Sequence, residues 1–202
     1  MRDRLALFSE SGKRCPSHQA ARFPLCTYKR PVVFPVECRG MQDMSEKTLV
    51  LGIGNTLLSD EGVGVHIVRS LEASARSCHG PEIEFLDAGT LSFTLAPRLE
   101  EAGALIVIDA AQLGAAPGTV RVIEGEAMDD FLSCHRKLSV HEVSLLDLLQ
   151  ILRLTGTLPA RRALVGVQPQ LVDWSDSPTE PVARAIPVAC DMVMDLIDRW
   201  NS

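Results

Sequence analysis

Several common signatures are missing from this chain, and each absence closes off a class of protein. There is no run of about 18 or more apolar residues, so no segment reads as a membrane-spanning helix. There is no excess of positive charge: 20 Lys and Arg stand against 26 Asp and Glu, a net charge of −6, which argues against a nucleic-acid surface. The six cysteines, Cys15, Cys26, Cys38, Cys78, Cys134 and Cys190, form no C-x-x-C pair. Their scatter reads as free thiols in a reducing compartment, not as a disulfide framework. G-x-S-x-G, H-E-x-x-H and C-G-x-C-W are all absent, and with them the standard signatures of serine, zinc and cysteine proteases. No internal repeat is visible.

What is present is a chain of 202 residues, 46% of them hydrophobic, enough for one globular domain with a real core and some excess. It is organised around Thr48–Val65, TLVLGIGNTLLSDEGVGV. Leu49, Val50, Leu51 and Ile53 form a short apolar run that reads as a strand. Gly52 and Gly54 let the backbone turn tightly. Asn55, Ser59 and Asp60 are turn and cap residues, and Gly64, Ile67, Val68, Leu71 and Ala75 then recur at helical spacing. This strand, loop and helix resembles half of a dinucleotide fingerprint, but the third glycine position holds Leu57 and no phosphate-loop Lys-Ser/Thr follows. The adjacent carboxylates Asp60 and Glu61 would repel phosphate and attract a cation or a proton. They lie at the carboxyl end of a strand, where open α/β sheets bind ligands.

Residues 1–46 differ from the rest. Eight Lys and Arg against five Asp and Glu give them +3, so the remainder carries −9. Pro16, Pro24, Pro31 and Pro35 interrupt every possible element. The segment is expected to be a disordered or spurious N-terminal extension, with Met41 or Met44 as alternative starts. Residues 47–202 are expected to form a single α/β domain.

That body alternates between strand and helix patterns. Glu82–Asp87 reads as a second strand, and Leu91–Ala102 as an amphipathic segment kinked by Pro97. Ala104–Ala110, ALIVIDA, is the near-continuous apolar run of a strand buried on both faces. Thr119–Glu124 reads as a further strand. It follows a link of about eight residues, too short for a parallel crossover, so it is predicted antiparallel and near an edge. Val143–Leu154 is a helix with Leu145, Leu148, Leu149 and Leu152 on one side, broadened by Leu146 and stopped by Gly156. Arg162–Val167 is the last strand. The last helix spans about Pro181–Trp200, broken or kinked at Pro187, with Val182, Ile186, Ala189, Val193, Leu196 and Trp200 inward. Together these units predict a three-layer sandwich, a mostly parallel twisted sheet of about five strands with helices on both faces.

Carboxylates follow three of the predicted strands: Asp60 and Glu61 the first, Asp87 the second, Asp109 the third. A parallel sheet gathers them at one edge. Any one strand-end aspartate alone is more simply a cap or a loop hydrogen bond. An Asp closing an apolar strand is nevertheless costly unless it is paired, hydrogen-bonded or metal-bound. His141 lies between a β-like Leu138–Val140 and the leucine-rich helix, and can reach the same edge. Glu, Asp and His together form an oxygen–nitrogen donor set suited to Ni²⁺ or Zn²⁺. His66 sits inside the first helix, His18 and His79 lie in polar surroundings, and Cys134-His135 is too weak a motif to displace His141.

GIGNTLLSDEGVGV, FLDAGT, LIVIDA, SVHEVSLLDLL and LVGVQP, in this order, resemble the [NiFe]-hydrogenase maturation endopeptidases. The resemblance covers about Thr48 to Trp200, and the spacing of the motifs makes it specific where GIGN alone is weak. It implies a cytoplasmic enzyme that removes a C-terminal extension from the hydrogenase large-subunit precursor after nickel insertion. It implies that Glu61, Asp109 and His141 bind a metal and recognise the Ni²⁺ brought by the substrate. The mechanism expected from the residues themselves is that these three complete the metal's coordination at the scissile bond, with Glu61, Asp109, Asp60 and Asp87 as the candidate catalytic carboxylates and Asp60 or Asp87 as base or support. The family's D-G-G-T loop reads Asp87-Ala88-Gly89-Thr90 here, a departure that removes no ligand. The family is often classed as aspartic-type, yet no D-T-G pair is present. The other readings are a non-catalytic chaperone for the nickel-loaded large subunit and, less favoured by Leu57 and the acidic loop, a nucleotide-binding enzyme.

Overall fold

The computed structural model describes residues 47–75, 83–134 and 144–202. The predicted extension, residues 1–46, lies outside them. So do Leu138–His141, His18, His79 and His135.

Five strands make one sheet. They are β1 (Thr48–Ile53), β2 (Ile83–Gly89), β3 (Ala104–Ala110), β4 (Val120–Glu124) and β5 (Arg161–Val167), in the order β2-β1-β3-β5-β4. The first four in that order run parallel, and β4 is antiparallel to β5 at the edge. The predicted edge strand is therefore present, but its partner is β5, which is inserted between β3 and β4. The short link after β3 does not pair the strands it joins; it steps over the position that β5 later fills.

The pleat divides the core into two. On one face Val50, Ile106, Ile108, Ala163 and Val165 pack against α1 (Val63–Ala75) and α5 (Glu180–Trp200). On the other, Leu49, Leu51, Leu105, Val107 and Leu164 pack under α2 (Ala96–Glu100), α3 (Glu126–Cys134) and α4 (Leu145–Thr155). Successive side chains of a strand point to opposite faces, so a continuous apolar run such as ALIVIDA serves both layers at once. The expected three-layer α/β sandwich is the observed one.

Leu145, Leu146, Leu148, Leu149 and Leu152 of α4 are all buried. Burying each leucine is worth about 1.5–3 kcal/mol, whereas a helix cap contributes about 1, so the stripe rather than the ends holds α4 down. The cap still sets where it starts: Ser144 and Asp147 form a reciprocal capping box. Gly156 ends the helix in a left-handed conformation, φ 75°.

Three local expectations are corrected, and one helix is added. Pro97 does not kink the segment after β2; it sits in the first turn of α2, where its missing N–H is not needed, after a 3-10 turn at Phe93–Leu95. Pro187 does not break α5, which runs unbroken over 21 residues. Pro187 and Ala183, whose carbonyl has no amide at position 187 to accept from, both lie on the exposed side of the helix. Asp87 is not the last residue of its strand, because β2 continues through a register shift to Gly89, whose carbonyl accepts the Gly54 amide at 2.9 Å. Helix α3 is an addition. Only Met128 of it is fully buried, so its apolar period is faint in sequence.

Candidate active site

The loop after β1 is shaped by steric necessity. At Gly54, φ is 140°, and a Cβ there would lie 2.0 Å from the Glu61 carbonyl oxygen. Only glycine allows the chain to fold back over itself in this way. A Cβ on Gly64 would meet the carbonyl oxygens of Ile108 at 2.2 Å and Ile53 at 2.3 Å. The first turn of α1 is thereby seated on the carboxyl ends of β1 and β3. Ile108 immediately precedes Asp109, and Glu61 lies just before α1, so the two acidic segments meet at this edge.

Between Gly54 and Gly64 the chain passes through Ser59 at φ 50°, a left-handed conformation that a non-glycine residue holds only under local constraint. The turn sends the adjacent carboxylates to different fates. Asp60 is fully buried. Its Oδ2 accepts the amides of Gln170 at 2.8 Å and Leu171 at 3.0 Å and the Thr179 hydroxyl at 2.9 Å, and its Oδ1 accepts the Thr179 amide at 2.6 Å. Burial pushes this carboxyl up, but the bonds from Leu171, Thr179 and Gln170 together outweigh it and hold the pKa below the usual carboxylate value. Asp60 thus ties the β1–α1 loop to the β5–α5 loop. A carboxylate so occupied is suited to holding structure rather than to taking a proton.

Glu61 is half-buried, and its Oε2 accepts the Asn55 amide at 2.6 Å. Asp109 is half-buried on β3, opposite Gly166 of β5. The loop that follows Asp109 is held by buried Gln168, whose Oε1 accepts the amides of Leu113 at 2.8 Å and Ala115 at 3.4 Å. Its Nε2 donates to Gln112 and to the Pro169 carbonyl. LVGVQP marks this residue, but nothing in the sequence pattern separates a loop-organising glutamine from a solvated one. Asn55 reads in sequence as a turn residue, and its Oδ1 does accept the Leu57 amide at 3.0 Å, but its contact to Glu61 is not legible there, because it is made by a backbone amide that every residue but proline carries.

Asp87 is exposed and pairs with Arg69 of α1, accepting Nε at 3.1 Å and a terminal guanidinium nitrogen at 2.8 Å on Oδ2, while Oδ1 accepts the Gly89 amide at 3.0 Å. Its carboxylate is committed to that pair. Nearby His66 has a buried Nε2 without a hydrogen-bond partner, and burial, reinforced by Arg69, holds its pKa below the usual imidazole value.

Among the described residues no three His, Cys, Asp or Glu come together closely enough to hold a metal. Of the predicted set, Glu61 and Asp109 lie on segments that converge, and His141 lies outside the described residues. Two carboxylates at one sheet edge, that of Glu61 oriented by the Asn55 amide, can hold or move a proton and can offer oxygen ligands to a divalent cation.

The family model described as hydrogenase maturation protease matches residues 65–196. The chain is 36% identical over 149 residues to the hydrogenase 2 maturation protease of Escherichia coli (strain K12), covering 73% of this chain and 88% of that protein. It is 35% identical over 154 residues to the hydrogenase expression/formation protein HoxM of Cupriavidus necator, covering 76% and 75%. The solved hydrogenase maturating endopeptidase HybD from E. coli superposes with a TM-score of 0.69 at 34% identity, covering 76% of this chain and 93% of that chain. The chain belongs to the hydrogenase maturation protease family, and it is an endopeptidase.

Proposed function

We propose that this endopeptidase removes the C-terminal extension of a [NiFe]-hydrogenase large-subunit precursor after nickel insertion, and that Glu61, Asp109 and His141 read the nickel centre of that substrate. The observation that carries the reading is the seating of Gly64 on the ends of β1 and β3, which brings the Glu61 and Asp109 segments together. Two carboxylates and an imidazole form a donor set that fits Ni²⁺. Nickel in the bound precursor supplies a fixed positive point that orients the scissile peptide and polarises its carbonyl.

The protein's own groups do the rest. The Asn55 amide holds one oxygen of Glu61, so the carboxylate is oriented before substrate arrives. Glu61 or Asp109 takes a proton from the attacking water as its oxygen bonds to the carbonyl carbon. The same carboxyl returns a proton to the leaving nitrogen as the C–N bond breaks. Asp60 and Asp87, each engaged elsewhere, support the loops and take no part in this exchange. Cys134 and Cys190 are free thiols, in keeping with a reaction in the reducing cytoplasm.

The test is the intact mass of the large-subunit precursor, nickel-loaded and nickel-free, before and after incubation with the protein. Loss of the extension from the loaded precursor alone is the expected result. No mass change overturns the substrate, and equal cleavage of both forms overturns nickel recognition.

A further inference from the structure

Two segments at the same sheet edge carry large apolar side chains in water. Leu57, in the β1–α1 loop, is 55% exposed; Leu171 and Val172 are 52% and Trp174 79% exposed in the β5–α5 loop. The segments run side by side. The Ser175 amide donates to the Leu57 carbonyl at 3.1 Å, the Ser59 amide donates to the Ser175 carbonyl at 2.9 Å, and Leu58 and Ser175 form a parallel bridge. Asp60 holds the far loop from below through Gln170, Leu171 and Thr179. An exposed Leu154 or Val188 standing alone needs no explanation, but four such side chains on two stitched loops form a ledge. A tryptophan left in water is the residue type that most often anchors an interface.

We propose that this ledge docks an apolar segment of the polypeptide substrate, flanked by a basic side chain, beside the bond that is cut. The inference rests on the reading of the Glu61–Asp109 edge as the cleaving site. Continuity identifies the occupant: Leu57 lies four residues before Glu61 in one loop, so a polypeptide lying across the acidic edge runs onto the ledge. Charge narrows it further. Asp173 and Asp176 are exposed on the same loop; Asp173 accepts the Trp174 amide and Asp176 accepts the Ser177 hydroxyl, and neither pairs with a cation among the described residues. An apolar segment with Lys, Arg or His alongside complements both features. The hydrogen bonds that Asp60 accepts order the loop in advance, so docking loses less conformational entropy than ordering a free loop would cost.

The experiment uses the full chain and the nickel-loaded precursor, with wild type, Trp174→Ala, Val172→Thr, Trp174→Phe and Leu154→Ser compared by steady-state cleavage. Trp174→Ala is expected to raise KM about tenfold with kcat within about twofold, the effect of losing an interface anchor. Val172→Thr raises KM less, Trp174→Phe restores most of the loss, and Leu154→Ser, at the end of α4 that leads into the amino end of β5, matches wild type. Circular dichroism checks that each variant is folded, and Val172→Thr carries the test if Trp174→Ala is not. Unchanged KM in folded Trp174→Ala and Val172→Thr overturns the docking surface. Self-association of the wild type that Trp174→Ala abolishes, with KM unchanged, overturns it in favour of a second copy of this chain. Failure of wild type to cleave the precursor overturns instead the function proposed above, so the two failures are distinct.

Discussion

The buried carboxylate of Asp60 accepts the Thr179 amide at 2.6 Å and the Thr179 hydroxyl at 2.9 Å, across 119 residues of sequence. With the Gln170 and Leu171 amides on the same group, one side chain holds together the two loops that border the acidic edge. Asp60→Asn keeps the shape but turns a donor toward amides that need an acceptor. It is expected to cost about 2–3 kcal/mol, the cost of leaving buried donors unpaired. Urea unfolding measures the loss, and faster proteolysis within residues 170–178 locates it. A variant as stable as wild type shows that water replaces the carboxylate.

Asp109→Asn is expected to lower precursor cleavage by about 100-fold or more while the fold is kept, since it removes an ionised group that takes or shares the proton. Glu61→Gln is expected to behave alike. An aspartate that only caps a turn is well replaced by asparagine. Near-normal cleavage by folded Asp109→Asn therefore counts directly against its catalytic role.

His141→Ala is expected to lose nickel-dependent binding of the precursor, whereas His66→Ala and His135→Ala keep it. The comparison is needed because His66 Nε2 is buried without a partner, and replacing a packed histidine alters stability for reasons unrelated to nickel. Thermal melting of all three variants separates the two effects. If folded His141→Ala cleaves the loaded precursor at the wild-type rate, the carboxylates act alone, and water activation between Glu61 and Asp109 is the better account.

Asp129 of α3 ties three elements together. Its oxygens accept Arg162 of β5 at 3.0 and 2.7 Å and Arg153 of α4 at 2.7 Å. Burial pushes its carboxyl up, but the Arg162 and Arg153 guanidiniums outweigh burial and hold the pKa below the ordinary 3.8. As pH falls, the unfolded chain takes up this proton first, so the stability from Asp129 is whole above about pH 4 to 5 and is lost as pH falls through the folded value. Asp129→Asn is expected to cost about 3 kcal/mol near neutral pH, because the buried Arg162 guanidinium loses its counter-ion and keeps only the Pro159 and Ala160 carbonyls. The gap to wild type narrows below 3.8. Urea midpoints from pH 7 down to 3 test this, and a gap independent of pH shows that packing rather than charge is at stake.

Gly64→Ala brings a methyl group to within 2.3 Å of two carbonyl oxygens. Backbone cannot yield there as a side-chain tip can, so a loss of about 2–3 kcal/mol and a matching fall in cleavage are expected. Gly114→Ala is the control: its φ is 63° but nothing lies within 4 Å, so only local strain of about 1 kcal/mol is incurred. Thermal melting compares the two, and equal shifts would show that α1 is not seated on the β1 and β3 ends as described.

Local pattern determined much of this protein by itself. The apolar run of β3, the leucine stripe of α4 and the glycine-rich turn after β1 read directly, because burial on two faces, burial on one stripe and a tight turn each impose a distinct period or residue type. That three strands deliver carboxylates to one edge also follows from alternation of strand and helix. Tertiary structure decided the rest. Asp60 and Glu61 are neighbours with the same charge, and only the left-handed turn at Ser59 sends one into a buried cluster of amides and leaves the other at the edge. Asp87 reads in sequence as a strand-end carboxylate, and its pairing with Arg69, 18 residues away on α1, depends on the folded chain. The placing of β5 between β3 and β4, the helix α3 and the pairing of the Leu57 and Ser175 segments likewise depend on partners far apart in sequence. A residue's type limits which bonds it can make, but which of them it makes depends on what the folded chain brings within reach.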